Sequence, residues 1–160
     1  MYEIFGEFDS YEEINKKAAE LKAAGNQHEL RTLARENGLD EEDAQDFYSG
    51  AIEELTTPIL AAMGKIEVEA KGIEIFGVFT DWKGEILSMC QQDADFAKEV
   101  RRKGKTLIEC FAAVIEAESK KRKNVDKKIT KLINGCPENL PMSTMTKKEQ
   151  IEVIRRYYGK

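Results

Sequence analysis

Five carboxylates lie within seven consecutive residues of this chain: Asp40, Glu41, Glu42, Asp43 and Asp46. We call them the acidic run. On a helix they would cover about two turns and would charge more than one face. Such a run either forms a solvated helix face or presents phosphate-like negative charge to a basic partner protein. No cation stands within the run to meet a DNA phosphate, so we do not expect this stretch to bind DNA.

The opposite charge is concentrated in four cations: Arg101, Arg102, Lys103 and Lys105. We call residues 101–105 the basic segment. Together with the cations of residues 120–131, it could contact nucleic acid. No aromatic residue is interleaved among these cations, so stacking on single-stranded bases is unsupported. A solvated helix face, with cations placed favourably at helix C-termini, is an equally good interpretation.

The residue types that usually perform catalysis are few and scattered. His28 is the single histidine, and no serine or cysteine is placed against it as a nucleophile. Cys90, Cys110 and Cys136 form no Cys-x-x-Cys pair, so we expect no zinc site. Glycine-rich phosphate loops and paired catalytic carboxylates in a recognisable frame are absent as well. The sequence therefore predicts a protein without enzymatic activity, metal or cofactor.

Length and composition favour one domain with room for a small appendage. The chain has 160 residues, of which 41% are hydrophobic and 34% are charged. A chain of this length can bury roughly 70% of its unfolded surface, which suffices for a core without disulfides. No signal peptide opens the chain, and no apolar run approaches the roughly 20 residues that span a bilayer. We expect a cytoplasmic protein with reduced thiols and no membrane attachment.

The overall net charge of −5 hides an asymmetry along the chain. Residues 1–57 carry a net charge of −10, residues 58–100 carry −4, and residues 101–160 carry +9. This polarity suits binding to a charged macromolecule, although the two ends could partly neutralise each other.

The spacing of apolar residues predicts three short helices in an acidic N-terminal unit, residues 1–52. Residues 1–8 are expected to form a short edge segment or an extended lead-in. Glycines at 25, 38 and 50 end the three helices that follow. Their predicted inward residues are Ile14, Ala18, Leu21, Leu30, Leu33, Ala34, Ala44, Phe47 and Tyr48. Residues 33–47 have the spacing of a helix-turn-helix, which we interpret as helix packing without DNA contact because the second helix is acidic.

A central helical core is predicted over residues 53–123. Thr57 is a good N-cap and Pro58 fits the first helical position. The apolar stripe expected for this helix comprises Ile59, Leu60, Met63, Ile66 and Ala70, and Gly64 within it suggests a close helix crossing. Residues 71–80 permit a strand-like connection or frayed helix ends. Asp81 is the expected cap of the next helix, residues 82–91.

The densest apolar face belongs to residues 93–117, which begin at the N-cap candidate Asp93. Its predicted stripe comprises Leu107, Ile108, Phe111, Val114 and Ile115. We expect Leu107, Phe111, Val114, Ile66, Met63 and Trp82 to share one core.

A C-terminal helical extension, residues 124–160, completes the prediction. A helix is expected near residues 126–134, followed by a break at 135–141. The final helix should begin at Thr146, with Glu149 completing a capping box. The expected class is all-α, a multi-helix fold that forms one compact domain overall.

Several motifs resemble the PcfK-like family. They are TPILAAMGKIEVEA at residues 57–70, DW at 81–82 and VRRKGKTLIECFAA at 100–113. Residues 33–34, 38–43 and 155–159 are similar to that family too, whereas residues 120–145 diverge. Such proteins occur on plasmids, phages and integrative elements of Gram-positive and gut bacteria, and they include inhibitors of the type II CRISPR nuclease.

The resemblance implies a non-enzymatic anti-CRISPR protein of a mobile genetic element. Its partner would be the RNA-guided type II CRISPR DNA nuclease of the bacterial host, and the acidic run and the basic segment are the candidate contact sites. The alternative is an accessory or regulatory protein of plasmid or conjugative maintenance that binds nucleic acid through its basic C-terminal half. The sequence leaves the oligomeric state open.

Overall fold

The computed structural model describes residues 3–159; Met1, Tyr2 and Lys160 lie outside the described residues. Within this range the chain forms nine α-helices and one two-stranded antiparallel ribbon. The elements are α1 (Tyr11–Ala23), α2 (Gln27–Glu36), α3 (Glu41–Ser49), α4 (Pro58–Ala70), α5 (Val78–Gln92), α6 (Ala94–Arg101), α7 (Leu107–Lys120), β1 (Arg122–Asn124), α8 (Lys127–Thr130), β2 (Pro141–Ser143) and α9 (Lys147–Tyr158). The predicted all-α class is confirmed.

Helices α1 to α3 surround the first of two hydrophobic clusters. Ser10 caps α1 by accepting from the Glu13 N–H, and Gly50 ends α3 with a φ of 86°. The cluster contains Ile14, Ala18, Leu21, Leu30, Leu33, Ala34, Ala44, Phe47, Leu55 and Ala61, with Tyr48 packed against it. The inward residues predicted for the three N-terminal helices are therefore confirmed.

The segment before α1 is irregular. Residues 3–8 form no strand, and the first two residues of the predicted lead-in lie outside the described part of the chain. The backbone N–H groups of Glu3, Ile4 and Phe5 donate to the carboxylate of Glu36 at 2.9–3.2 Å. The Glu36 side chain of α2 therefore anchors the start of this segment.

The second cluster lies among α4, α5, α6, α7 and α9. Its buried members are Ala62, Ile66, Trp82, Ile86, Met89, Cys90, Phe96, Ala97, Val100, Leu107, Cys110, Phe111, Val114, Ile154 and Tyr158. The ring centroid of Phe111 lies 5.3 Å from that of Phe79 and 5.7 Å from that of Trp82. Met63 packs against the same cluster, so the predicted shared core is confirmed. The division of the chain at residues 52 and 123 stays a prediction.

The buried face of α4 differs from the predicted stripe. Ile66 is buried as expected, but Leu60 is 44% exposed and Met63 is half-buried. The buried residues are instead Ala61, Ala62, Gly64, Lys65, Ile66, Val68 and Glu69. The helix runs between the two hydrophobic clusters, so small and charged residues face neighbours on several sides.

Helix α7 keeps only part of its predicted stripe. Leu107, Phe111 and Val114 are buried, whereas Ile108 is 58% exposed and Ile115 is also exposed. The apolar pattern is wider than the face that neighbouring helices cover, so two of its members face outward.

Helix α5 begins earlier than predicted. Its N-cap is Gly77, with a φ of 51° and no side-chain cap, and Asp81 lies in the first turn. Residues 71–77 form the loop before it. An earlier start places Phe79 on the helix, where its ring contacts Phe111.

The C-terminal extension contains a ribbon that the sequence analysis missed. Strands β1 and β2 pair antiparallel, with Lys123 opposite Met142. The intervening helix, α8, ends at Thr130 and does not reach residue 134. All six strand residues are exposed, so no alternation of polar and apolar residues marked them as strands. We call residues 121–145 the arm.

Candidate functional site

The acidic run lies on α3 and at its N-terminus, as predicted. The Asp40 side chain caps the helix by accepting from the Glu42 N–H at 3.0 Å. Asp43 is half-buried, and the other four carboxylates are exposed. Within residues 3–159, the one ion pair that involves the run joins Arg35 to Glu41 at 3.9 Å. The run is therefore an exposed surface of largely uncompensated negative charge.

A groove lies beside the acidic run, between the N-terminal end of α3 and α4. It has a volume of about 670 Å³. Its lining comprises Arg35, Gly38, Leu39, Asp40, Glu41, Asp43, Leu60, Met63, Gly64, Glu67 and Lys71. Carboxylates outnumber cations along the rim, and aliphatic side chains form the floor. The sequence analysis missed this groove because it placed Leu60 in the core.

The groove exists because the turn after α2 meets α4 at two glycines, Gly38 and Gly64. A Cβ on Gly64 would stand 2.2 Å from the Asn37 carbonyl oxygen, and a Cβ on Gly38 would stand 2.3 Å from the Gly64 carbonyl oxygen. Gly38 also has a φ of 68°, which disfavours other residues. The close approach predicted at Gly64 is present, but its partner is the turn at Asn37 and Gly38 and not a crossing helix. This contact brings the start of α3 alongside α4.

Arg101, the first cation of the basic segment, lies in the interior. Its side chain is 1% exposed, and its Nη2 donates to Asn37 Oδ1 at 2.8 Å. A side chain this deeply buried cannot reach a partner, so Arg101 is removed from the candidate contact residues. Its partner is 64 residues away in sequence, and local spacing gave no signal of this pairing.

The remaining basic segment forms the turn between α6 and α7, and folding contacts hold much of it. Arg102 pairs with Glu99 at 2.9 Å. The Lys105 ammonium donates to the Tyr157 carbonyl at 2.9 Å. The side chain of Lys103 is exposed, while its backbone N–H donates to Asp9 Oδ1 at 2.9 Å. Arg102 and Lys103 are thus the members that face solvent.

A buried lysine connects this turn to the rest of the molecule. Lys65 is fully buried, and its ammonium lies 2.8 Å from Glu7 Oε1 and 3.9 Å from Glu69 Oε1. It also donates to the Arg102 carbonyl at 2.6 Å. Burial lowers the pKa of Lys65 and raises the pKa of Glu69, although the opposite charges oppose both shifts. The sequence analysis missed this network, since it assigned the buried face of α4 from apolar residues alone.

The cations of the arm form a second basic surface. Lys121 pairs with Glu149, and Lys127 pairs with Glu138 at 2.7 Å. Four further cations are exposed and have no ion-pair partner among residues 3–159: Arg122, Lys123, Lys128 and Lys131. The structure thus separates the acidic run on α3 from exposed cations on the arm.

The thiols and possible metal ligands offer little chemistry in the described part of the chain. Cys90 and Cys110 are buried, and burial raises the pKa of each thiol to about 12. His28 is exposed. Across residues 3–159, no group of three or more His, Cys, Asp or Glu side chains is placed to hold a metal ion.

Two further findings concern the chain as a whole. Among the described helices, none combines the length and apolarity needed to cross a membrane. Compared with family models, with curated proteins and with solved structures, the chain finds no match.

Proposed function

We propose that this protein is a non-enzymatic anti-CRISPR protein of the PcfK-like family, carried by a mobile element. It binds the RNA-guided type II CRISPR DNA nuclease in the cytoplasm of the bacterial host and prevents cleavage. The observation that carries the proposal is the exposed acidic run on α3, where one of the five carboxylates, Glu41, is in an ion pair among residues 3–159.

The physical basis is competition for a positively charged channel. RNA-guided nucleases hold the guide–target heteroduplex and the displaced strand in channels lined by Lys and Arg. A helix that carries several exposed carboxylates matches such a lining by charge, as a nucleic-acid backbone does. Glu41, Glu42 and Asp46 are exposed and lie within two turns, so they can meet several cations at once.

The structure also favours the acidic run over the basic segment as the contact. Arg101 is buried, and Lys105 donates to the backbone of α9. These stabilising contacts are sufficient to explain why cations occupy this part of the motif at residues 100–113. The acidic run makes few contacts within the molecule, which leaves its charge available to a partner.

Charge reversal of the acidic run tests the proposal. The variant Glu41→Lys, Glu42→Lys, Asp46→Lys keeps the cap residue Asp40, so we expect a folded protein. Its matched control reverses three exposed loop carboxylates, Glu53→Lys, Glu54→Lys and Glu74→Lys, and changes the net charge equally. Binding to a purified nuclease–guide complex should weaken at least about tenfold for the acidic-run variant and should depend less steeply on salt.

The readouts are the dissociation constant at low and moderate salt, the inhibition of DNA cleavage, and the melting temperature. The control should inhibit like the natural sequence. Full inhibition by the folded acidic-run variant would contradict the charge-mimic mechanism. Absence of binding by the natural sequence to several type II nucleases would contradict the function itself.

The exposed cations of the arm favour a second candidate, an accessory protein that binds nucleic acid. Arg122, Lys123, Lys128 and Lys131 have no ion-pair partner among residues 3–159, and such cations release counterions when they meet phosphates. Duplex DNA binding that weakens steeply with salt in the absence of any nuclease would support this candidate. Reversal of Arg122 and Lys123 should then reduce the salt slope.

A further inference from the structure

The arm exposes aliphatic side chains beyond what its own fold needs. Leu132 is 86% exposed, and Ile129 and Ile133 are 54% and 49% exposed. Within residues 3–159, the hydrogen bonds and ion pairs of the arm stay inside residues 118–149. Exposed aliphatic residues grouped on a projecting segment usually mark an interaction surface.

These aliphatic residues share one face. The turns continue in helical fashion beyond α8, since the Lys131 N–H donates to the Lys127 carbonyl and the Leu132 N–H donates to the Ile129 carbonyl. The three aliphatic residues follow i, i+3, i+4 spacing, which places them side by side. Lys128 and Lys131, three residues apart, form a basic stripe next to them. The arm therefore presents a small apolar face edged by cations.

The groove between α3 and α4 has the opposite chemistry. Its floor contains Leu39, Leu60 and Met63, and Leu60 is left 44% exposed. Its rim carries four carboxylates, Asp40, Glu41, Asp43 and Glu67, and two cations, Arg35 and Lys71. Glu41 pairs with Arg35 and Glu67 pairs with Lys83, so Asp40 and Asp43 are the rim carboxylates without an ion-pair partner among residues 3–159. A groove of about 670 Å³ has room for a few aliphatic side chains. The apolar floor and the excess of carboxylates over cations on the rim match the apolar face and the basic edge of the arm in polarity and in charge.

We propose that the arm of one copy of this chain occupies the α3–α4 groove of a second copy. The exchange is reciprocal, because each copy carries one arm and one groove, and two such contacts close a twofold dimer. Within one molecule, no hydrogen bond or ion pair joins the arm to the groove among the described residues. This self-association needs no nuclease, so it stands apart from the proposed function. It covers Asp40, Glu41 and Asp43, so dimer formation and nuclease binding compete for the same face.

A charge swap between arm and groove tests the proposal with the full chain. The arm variant is Lys128→Glu, Lys131→Glu, and the groove variant is Glu41→Lys, Asp43→Lys. Each variant places like charges opposite one another at both contacts, so each should dimerise at least about tenfold more weakly than the natural sequence. An equimolar mixture restores opposite charges at both contacts and should form a heterodimer. The variant Leu132→Ser should also weaken dimerisation, since it removes the most exposed apolar contact.

Sedimentation equilibrium from about 1 µM to about 1 mM protein measures the dimer, and circular dichroism checks that each variant is folded. The matched control, Arg122→Glu, Lys123→Glu, makes the same charge change on β1 and should leave the dimer intact. A natural sequence that stays monomeric throughout overturns the proposal, including the case in which the arm binds duplex DNA or anionic vesicles instead. A dimer that the arm variant does not weaken, or that mixing does not restore, overturns it as well.

Discussion

One residue, Gly64, determines how closely α4 approaches the end of α2. A glycine inside a helix costs roughly 1 kcal/mol relative to alanine. Here the missing side chain lets the helix approach the backbone at Asn37 and Gly38, where a Cβ would stand 2.2 Å from a carbonyl oxygen. The glycine therefore lowers the intrinsic stability of α4 but permits this close approach. The shape of the α3–α4 groove depends on this approach.

Gly64→Ala should destabilise the protein by about 1–3 kcal/mol, because the backbone of α2 must move to admit the Cβ. Gly84 is the matched control, since it lies within α5 and a Cβ there would meet no atom within 4 Å. Gly84→Ala should stabilise the protein by roughly 0.5–1 kcal/mol. Urea unfolding of both variants measures the two effects. Equal effects of the same sign would contradict the packing role of Gly64.

Arg101 marks the limit of prediction for single residues. The sequence correctly predicted the cap at Asp93, because caps depend on near neighbours. It placed Arg101 on the surface, whereas the side chain is buried against Asn37. Whether a cation is exposed depends on contacts distant in sequence, and no local pattern reports them. The exposure of the acidic run was predictable, because it follows from the helix periodicity and the charge of these residues.

At the scale of elements, helix starts were easier to predict than buried faces. Thr57 and Thr146 each cap a helix with a side-chain oxygen as predicted, and the capping box at Glu149 was predicted from spacing. The start of α7 at Thr106 was not predicted. The buried face of α4 was not predictable from one apolar stripe, because the helix contacts both hydrophobic clusters. The ribbon in the arm escaped prediction since none of its residues is buried.

The start of α9 should respond to acid. The Lys121 ammonium and the Thr146 backbone N–H hold the pKa of Glu149 at about 2, below its ordinary value of 4.5. Because the pKa is lower in the folded state, this contribution to stability is present above about pH 4.5 and is lost as the pH falls towards 2. Glu149→Gln keeps the capping geometry without the charge. Its melting temperature should be lower than that of the natural sequence at pH 7, and the difference should shrink as the pH falls.

Glu152→Gln is the control for this experiment, because Glu152 lies exposed on the same helix. Its difference from the natural sequence should not follow that pH dependence. A Glu149→Gln difference that stays constant from pH 7 to pH 2 would show that the charge of Glu149 contributes nothing at α9.

At the scale of the molecule, part of the charge asymmetry is neutralised internally. Glu7, from the acidic end of the chain, pairs with Lys65, and Asp93 pairs with Arg155 from the basic end. The charges of the acidic run and of the arm are largely not neutralised in this way, and they stay exposed. The two surfaces proposed for binding are therefore those whose charge is largely not neutralised within the folded protein.

Lys65 is the residue on which this internal neutralisation depends, since it joins the N-terminal segment, α4 and the turn between α6 and α7. Lys65→Met keeps the length and packing of the side chain but leaves Glu7 and Glu69 without their cation. Removing one partner from a buried ion network costs about 3–5 kcal/mol, because the remaining charge stays desolvated. We therefore expect a large fall in the urea midpoint, and adding Glu7→Gln should recover part of it.

The control is Lys98→Met, at an exposed pair with Asp95, which should cost no more than about 1 kcal/mol. If both lysine variants unfolded at the same urea concentration, the Lys65 network would contribute no more than a surface ion pair.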